Sequence, residues 1–584
     1  MDAPNRIWVG SREGIDLVDA EQGTRQSLFR FDPNEPLPLR PQRRFVEAPD
    51  GSLYAPTTQG LLKIDRVAAR ATRLPAPTLR RTLSALIGRD GTLYAGTPQG
   101  LLRVSADGQR TEQLWPAAGA PPANVSDLVE DGNGWLWLAV RGGGVVRLNP
   151  RSGESDWLHH QRDMPGTLPE EFITTLLLDR SGLLWLGGET RGVATTRPTS
   201  ETFTWLVDLD SPRDRITRNM VGSLWSDDPR YIWIGTEGDG LKRYDRERDQ
   251  YENWNEPLAR ALGLSVPLQE LSIYAIAGGD GHLQLATSHG VFDLDLRERR
   301  AVLLDVAPLA GAGATASGDQ EARSLVHGRD GSLWIGTRTK GLLRYRAGAP
   351  LQSWRHDDAD GDSLPHNMVL SLREDSQGRL WIGTLDGLAL LDPASGRLRR
   401  IATAATAATG GGEPHSGNIV RTIYESRDGA IWVGTHSGLL RLEQLSDGAA
   451  RFARVSTTNG LASNTVYGVL EDQAGALWLS TNRGISRYEP ATRAVRNFAL
   501  KDGLQAYEFN GGAAFARDAG ELLFGGVNGV NLIIPDSLAR EHYDAPVVLT
   551  ALTVGSHREP LGTNPAARAI AQAERLLRFE FAAL

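Results

Sequence analysis

The chain has no cysteine in its 584 residues. That excludes disulfides, thiol nucleophiles, thiolate zinc sites and iron–sulfur clusters, and it leaves the compartment open because exported bacterial proteins often lack cysteine too. No apolar run reaches the roughly 18 residues that a membrane-spanning helix needs. The opening Met1-Asp2-Ala3-Pro4-Asn5 has neither the basic n-region nor the apolar h-region of a signal peptide. Positive charge is in deficit: 63 Lys and Arg against 71 Asp and Glu give a net charge of −8, and no basic stripe extends beyond short runs such as Arg80-Arg81. Nucleic acid is therefore not an expected partner. No P-loop, Gly-x-Ser-x-Gly elbow, His-Glu-x-x-His or dinucleotide fingerprint occurs. His159-His160 and the scattered His289, His366, His415 and His436 have no metal-ligand spacing.

What is abundant is glycine, at 65 residues, and tryptophan, at 15. Together they describe a turn-rich all-β protein with an aromatic and aliphatic core, too long for one ordinary domain. A self-comparison aligns on an aromatic followed by an aliphatic, a Gly and a Thr, clearest at Trp334-Ile335-Gly336-Thr337, Trp381-Ile382-Gly383-Thr384 and Trp432-Val433-Gly434-Thr435. The same slot recurs at Trp8, Tyr54, Tyr94, Trp137, Trp185, Trp233, Gln284, Trp334, Trp381, Trp432, Trp478 and Leu523, spaced by 40 to 51 residues. That period fits a four-stranded antiparallel propeller blade and leaves no gap for a hidden one.

Positions around the slot define the blade. Ten of the twelve copies have Gly three residues before it, and ten have Asp either four before it (as at Asp330 and Asp428) or six before it (as at Asp375 and Asp472). Asp then Gly is a hairpin turn, in which Asp caps its own backbone and Gly takes the positive φ. A second Gly follows six or seven residues after the slot, as in Thr384-Leu385-Asp386-Gly387-Leu388. One blade thus reads as strand A ending near the Asp, a turn, strand B carrying Trp-Ile-Gly-Thr, a second turn, strand C, and a more variable strand D. Alternation puts the A-to-B turns on one face and the B-to-C turns with the long D-to-A connections on the other. This second, loop face is where ligand binding is expected, because its loops vary without disturbing the blades. The repeated Trp, Gly, Asp and Thr are read as structural, since a residue in nearly every blade serves what all blades share. Gln284 in place of the aromatic and Gly188 in place of the Thr are read as blade degeneracy.

Asn459-Gly460-Leu461-Ala462-Ser463-Asn464-Thr465-Val466, continuing through Asp472 and Gly475 to Trp478-Leu479-Ser480-Thr481, resembles the repeat of the two-component regulator propeller family. Glu508-Phe509-Asn510-Gly511-Gly512 leading to Phe524-Gly525-Gly526-Val527-Asn528-Gly529 is similar to that family's last blade. Ala545 to Thr550 and Leu576 to Leu584 look like the opening of the small β-sandwich that follows such propellers. The resemblance implies the periplasmic sensor region of a hybrid histidine kinase or a propeller-containing diguanylate cyclase. The expected fold is all-β, tandem propellers of four-stranded antiparallel blades followed by the truncated start of a β-sandwich.

Twelve copies depart from the family's usual two seven-bladed propellers, and the first copy begins at strand B. These departures imply a fragment whose membrane helix and output domain lie beyond Leu584. Counting seven motifs back from Leu523 assigns residues 1–212 to a first propeller of five copies, 213–541 to a second of seven, and 542–584 to the β-sandwich. Counting forward would instead end the first propeller at Gln284, near the Ala/Gly-rich 307–318. The backward count is preferred because a similar stretch, 402–412, lies within a D-to-A connection.

Candidate ligand-binding residues on the loop face are Arg338, Lys340, Asp386, His436, Asn482 and Arg483 in the B-to-C turns, with Asn367, Asn418 and Asn464 entering strand A. Such side chains suit hydroxyl-rich or anionic ligands; alternatively the Asn residues only close the entry turn. Asp358, Asp360 and Asp362 offer oxygen ligands at a spacing reminiscent of a calcium loop, but no Glu arrives where an EF-hand needs one. No other cofactor or metal, and no catalytic residue, is expected. The implied function is non-catalytic sensing of a saccharide or related nutrient, on the loop face or between the propellers, by a periplasmic region that would signal through the arrangement of a homodimer and be joined to the membrane only through a missing C-terminal segment. A two-propeller glycoside hydrolase, a propeller lyase and a protein–protein scaffold are the alternatives.

Overall fold

A computed structural model describes residues 6–11, 13–32, 45–57, 59–160, 168–196, 203–206, 220–263, 271–306, 321–402, 418–446, 450–518, 520–541, 547–554, 557–560 and 577–583. The chain divides into two compact units, one made of Met1–Ser200 with Glu541–Leu584 and the other of Glu201–Arg540.

In the larger unit the repeat folds as its pattern predicts. Strand B is buried along its whole length in Leu333–Thr337, Leu380–Thr384, Ile431–Thr435 and Leu477–Thr481. Each recurrent residue has a separable task. The Thr hydroxyl ends strand B by donating to the carbonyl of the following turn glycine, at 2.8 Å in Thr337–Gly341, Thr384–Gly387, Thr435–Gly438 and Thr481–Gly484. The Gly after the aliphatic residue lies where two blades meet: a Cβ on Gly336 would come within 2.1 Å of Ser324 Oγ in its own blade and 2.6 Å of Val369 Cγ1 in the next. Asp six residues before the Trp accepts the indole N–H, at 2.8 Å from Trp381 to Asp375 and 2.9 Å from Trp478 to Asp472. The indole is then buried with no polar atom left over. Asp four residues before the Trp caps the turn, as Asp330 does in accepting the Ser332 N–H at 2.9 Å, and Asp330 also pairs with Arg344 and Arg346.

Seven such sheets follow one another at 221–253, 271–303, 322–354, 369–401, 420–455, 466–498 and 509–533. The first two are joined at an edge by Glu237↔Ser272 and Gly238↔Leu271. The A strands of successive sheets touch in turn, and the last, Phe509–Ala516, meets the first, Val221–Trp225. This contact closes a seven-bladed β-propeller around a channel lined by the A strands.

Closure uses a strand that the repeat does not announce. The last blade takes its fourth strand from ahead of the first blade: Phe203–Leu206 pairs antiparallel with Gly529–Ile533, in the register Phe203↔Ile533 to Leu206↔Val530. Trp205 Nε1 donates to the Asn528 carbonyl at 2.8 Å, and the Phe203 ring packs 4.9 Å from that of Phe498. The unit accordingly begins at Glu201, ahead of the boundary expected near 212, which itself lies outside the described residues. Arg246 and Arg517 both pair with Glu521, tying the first blade to the last.

Residues 6–196 of the smaller unit hold five described sheets, carrying the slots Trp8, Tyr54, Tyr94, Trp137 and Trp185. The first begins at strand B, as expected, and has three described strands, Arg6–Gly10, Gly14–Asp19 and Thr24–Arg30. In the fifth, Trp185 still donates to Asp179 at 2.8 Å, yet it is 40% exposed where Trp381 is 0%. Residues 547–583 contribute one three-stranded antiparallel sheet, ordered His557–Pro560, Val547–Val554, Leu577–Ala583. The Ala/Gly-rich stretch 307–318 and nearly all of 402–412 lie outside the described residues.

Candidate functional site: the loop-face mouth of the seven-bladed ring

Strand A carries a bulge near its start. Its register against strand B slips between Val221 and Ser223, Ile273 and Ala275, Ala322 and Ser324, Val369 and Ser371, Val420 and Thr422, and Val466 and Gly468. A bulge leaves one residue outside the ladder and re-aims its side chain. The residues so placed are Gly222, Tyr274, Arg323, Leu370, Arg421 and Tyr467. They sit at the strand-A end that pairs with the end of strand B, which is the loop-face end. Because the A strands ring the channel, these residues surround its mouth.

In the last blade the slip is wider, from Phe509 to Ala514. The extra residues include Asn510, Gly511 and Gly512, and their contacts run across the mouth. Asn510 Nδ2 donates to the Val221 carbonyl at 2.9 Å. A Cβ on Gly512, whose φ is +84°, would lie 2.9 Å from the Tyr274 carbonyl oxygen and 3.1 Å from that of Gly222. One on Gly511 would lie 3.8 Å from Arg421 Cδ and 4.0 Å from Tyr467 Cδ1. Only residues without side chains allow this backbone to serve as a floor beneath the cluster.

Above that floor the cluster is rich in guanidinium groups. Arg323 lies over the Tyr274 ring at 4.0 Å and Arg421 over the Tyr467 ring at 5.7 Å. Glu321, 5% exposed, is gripped by Arg323 at 2.5 Å and Arg338 at 2.8 Å, one arginine to each carboxylate oxygen. The Nε of Arg323 is buried and has no hydrogen-bond partner. Arg421 donates from Nε to His436 Nε2 at 2.9 Å, and among the described residues no carboxylate pairs with it. Burial lowers the pKa of Arg421, as does the nearby charge of Arg323, while Tyr467 opposes the shift. Burial and the charge of Arg421 likewise lower that of His436, which accepts at Nε2 as a neutral imidazole. Burial pushes the Glu237 carboxyl up, with Arg323 opposing and Glu321 adding to the shift.

Of the residues nominated from sequence, Arg338 and His436 belong to this cluster. Asn418 donates from Nδ2 to Asp386 at 2.9 Å elsewhere on the loop face. Asn367 and Asn464 accept the backbone N–H groups of His356 and Thr457 at 2.9 and 2.8 Å, so each closes its entry turn. Lys340 and Arg483 donate their backbone N–H groups to Thr337 and Thr481, and the side chains of Asn482 and Arg483 are exposed. The aspartate loop is held by a side-chain cation. Arg400 donates to the carbonyls of Asp357 and Asp360 at 2.8 and 3.0 Å, and Asp358 turns outward to His356 at 3.0 Å. Among the described residues no group of three metal-ligating side chains converges.

Tyr274, Arg323, Arg421 and Tyr467, with Glu237 and Glu321, were not among the nominated residues. Their signal lay in the repeat: the residue after the apolar start of strand A changes from Gly to Tyr, Arg, Leu, Arg and Tyr while its neighbours stay apolar or small.

The fold and this ring place the chain among tandem β-propellers, and comparison with known proteins narrows the class. Residues 363–386, 414–437 and 460–483 match the two-component regulator propeller family, and these repeats are of that family. Histidine kinase P4 of Formosa agariphila is 23% identical over 239 residues, covering 41% of this chain and 17% of the kinase. The extracellular domain of a hybrid two-component system of B. thetaiotaomicron superposes with a TM-score of 0.67 at 20% identity, over 98% of this chain and 72% of that one. No described helix is long and apolar enough to cross a membrane.

Proposed function

We propose that the chain is the extracytoplasmic ligand-sensing region of a bacterial membrane signalling protein, and that it passes the binding event through its C-terminal segment to a cytoplasmic kinase or diguanylate cyclase. The observation that carries this reading is the ring of bulged residues. A rigid seven-bladed scaffold brings Arg, Tyr and Glu side chains from several blades to a mouth floored by Asn510–Gly512. Family repeats found in this chain and a fold shared with a two-component sensor's extracellular domain support the signalling context. A binding role suits the electrostatics better than hydrolysis does. Glycoside cleavage requires two carboxyl groups free to act as acid and base or nucleophile, and Glu321, the carboxylate set among the arginines, has an arginine at each oxygen and serves to hold them.

A saccharide panel in thermal-shift and calorimetric assays on the purified chain, run beside a product assay, tests the reading. Binding without turnover, and a ligand-dependent change in kinase or cyclase output from a parent protein carrying this region, is the expected result. Bond cleavage by the chain would replace sensor with enzyme.

A further inference from the structure

We infer that the mouth of the seven-bladed ring is an oxyanion subsite, in which Arg323 and Arg421 hold a carboxylate or equivalent group of a small hydroxylated ligand. The inference rests on the sensing role proposed above and specifies what is sensed.

Charge balance around the mouth carries the argument. The mouth carries three guanidinium groups, from Arg323, Arg338 and Arg421, and one buried carboxylate among them, Glu321, which engages the first two. Arg421 is left with a neutral imidazole on Nε and with no carboxylate among the described residues. Part-burying a guanidinium beside another cation is costly unless an anion accompanies it. Two further acids stand near and form no ion pair among the described residues: Glu237, on the strand end that bridges the first two blades, and the exposed Glu508 beside Tyr467. The geometry suits a planar oxyanion. His436 fixes Nε of Arg421 and the Tyr467 ring centre lies 5.7 Å from its guanidinium carbon, which leaves the terminal nitrogens as a fork for two oxygens. Arg323 is set in the same manner over Tyr274, with its outer edge on Glu321. Substituting lysine would keep the charge and lose the fork. Gly511 and Gly512 bring the backbone itself close to these groups: a Cβ on Gly511 would touch Arg421 Cδ at 3.8 Å, and one on Gly512 would strike the Tyr274 carbonyl at 2.9 Å.

Calorimetry on the full chain with three probes, glucuronate, glucose and inorganic sulfate, tests the inference. Glucuronate is expected to bind and glucose to bind about tenfold more weakly or not at all. Arg421→Gln and Arg323→Gln are each expected to weaken glucuronate by about tenfold or more, and Arg421→Lys to recover only part of the loss. Arg248→Gln, an exposed arginine in the turn between Leu241–Asp245 and Gln250–Asn253, serves as the control and is expected to leave binding unchanged. Far-UV spectra and melting curves establish that each variant is folded, and Arg421→Lys supplies the measurement if Arg421→Gln is not. Sulfate that competes with glucuronate supports the subsite and identifies the oxyanion, rather than the sugar, as the recognised group. Equal binding of glucose and glucuronate, glucuronate binding indifferent to both arginine substitutions, or no binding of either anion overturns the inference. Neutral-sugar binding with those results would leave the sensing role standing. Conversely, arginine-dependent glucuronate binding that never alters the output of a parent protein would retain the subsite and remove the sensing role.

Discussion

Asp472 shows how much one recurrent side chain can hold. It is 3% exposed and accepts from the Trp478 indole at 2.9 Å, from the backbone N–H groups of Ala474 and Ala476, and from Arg487 at 3.2 Å. Asp472→Ala removes these together and leaves the buried indole N–H unpaired, so a loss of about 3 kcal/mol in denaturant unfolding is expected. Asp428, four residues before its Trp, does not touch the ring, because Ser426 takes the Trp432 indole at 3.2 Å. Asp428→Ala is therefore expected to cost about 1 kcal/mol, and equal losses at the two positions would contradict the division of labour. Glu237 gives a residue-level pH test. Its carboxyl pKa is raised by burial, against Arg323 and with Glu321, so the folded chain holds this proton more tightly than the unfolded chain does. The resulting stability is complete below the ordinary carboxylate range and is lost as pH rises through the raised value. Glu237→Gln cannot ionise. It should melt close to the wild type near about pH 4 and above it near about pH 8, and a gap that fails to open with pH would refute the assignment.

At the scale of the element, the second strand is where sequence pattern and packing agree most closely. Its Trp, Ile, Gly and Thr are each used: the indole against the next blade, the aliphatic chain in the core, the Gly at the point of closest approach and the Thr at the turn. Gly336→Ala places a methyl 2.1 Å from Ser324 Oγ and 2.6 Å from Val369 Cγ1. About 1–3 kcal/mol of destabilisation is expected from this overpacking. Removing the Ser324 hydroxyl with Ser324→Ala should return part of it, and a double mutant no better than the single would place the clash wholly on Val369. Alternation and turn chemistry made this strand readable, since its neighbours lie in the same repeat. Bulges on the first strand were not readable. They keep the apolar pattern intact and shift only the register, and register becomes visible once the partner strand is in place.

For the molecule as a whole, the decisive element is Phe203–Leu206. Without it the last blade has three strands and the edge at Gly529–Ile533 is open. Residues 201–540 prepared alone are expected to unfold in one cooperative transition. A chain starting at residue 213 should melt at a lower temperature and show faster amide exchange across 529–533, and equal behaviour of the two would deny the closing strand its role. Phe203→Ala should reproduce the effect more mildly, at about 2 kcal/mol, because the ring is only partly buried against Trp478 and Phe498.

The sequence by itself determined the blade and its multiplicity. Each copy repeats the same local solution, and local solutions are written in contiguous residues: Trp381 with Asp375, Thr384 with Gly387. It also showed that the loop face varies, the face that carries Arg338 and His436. Tertiary structure alone decided the rest. A closing strand drawn from residues 203–206 obeys no period, because it depends on where the ring happens to meet. Arg323, Arg421, Tyr274 and Tyr467 come from separate blades, so their proximity arises only when seven sheets turn through a full circle and bring every first strand to one channel. Whether an arginine there meets a carboxylate, as Arg323 does with Glu321, or an imidazole, as Arg421 does with His436, is settled within its own blade, whereas which arginines and tyrosines come to share one mouth is settled across that circle.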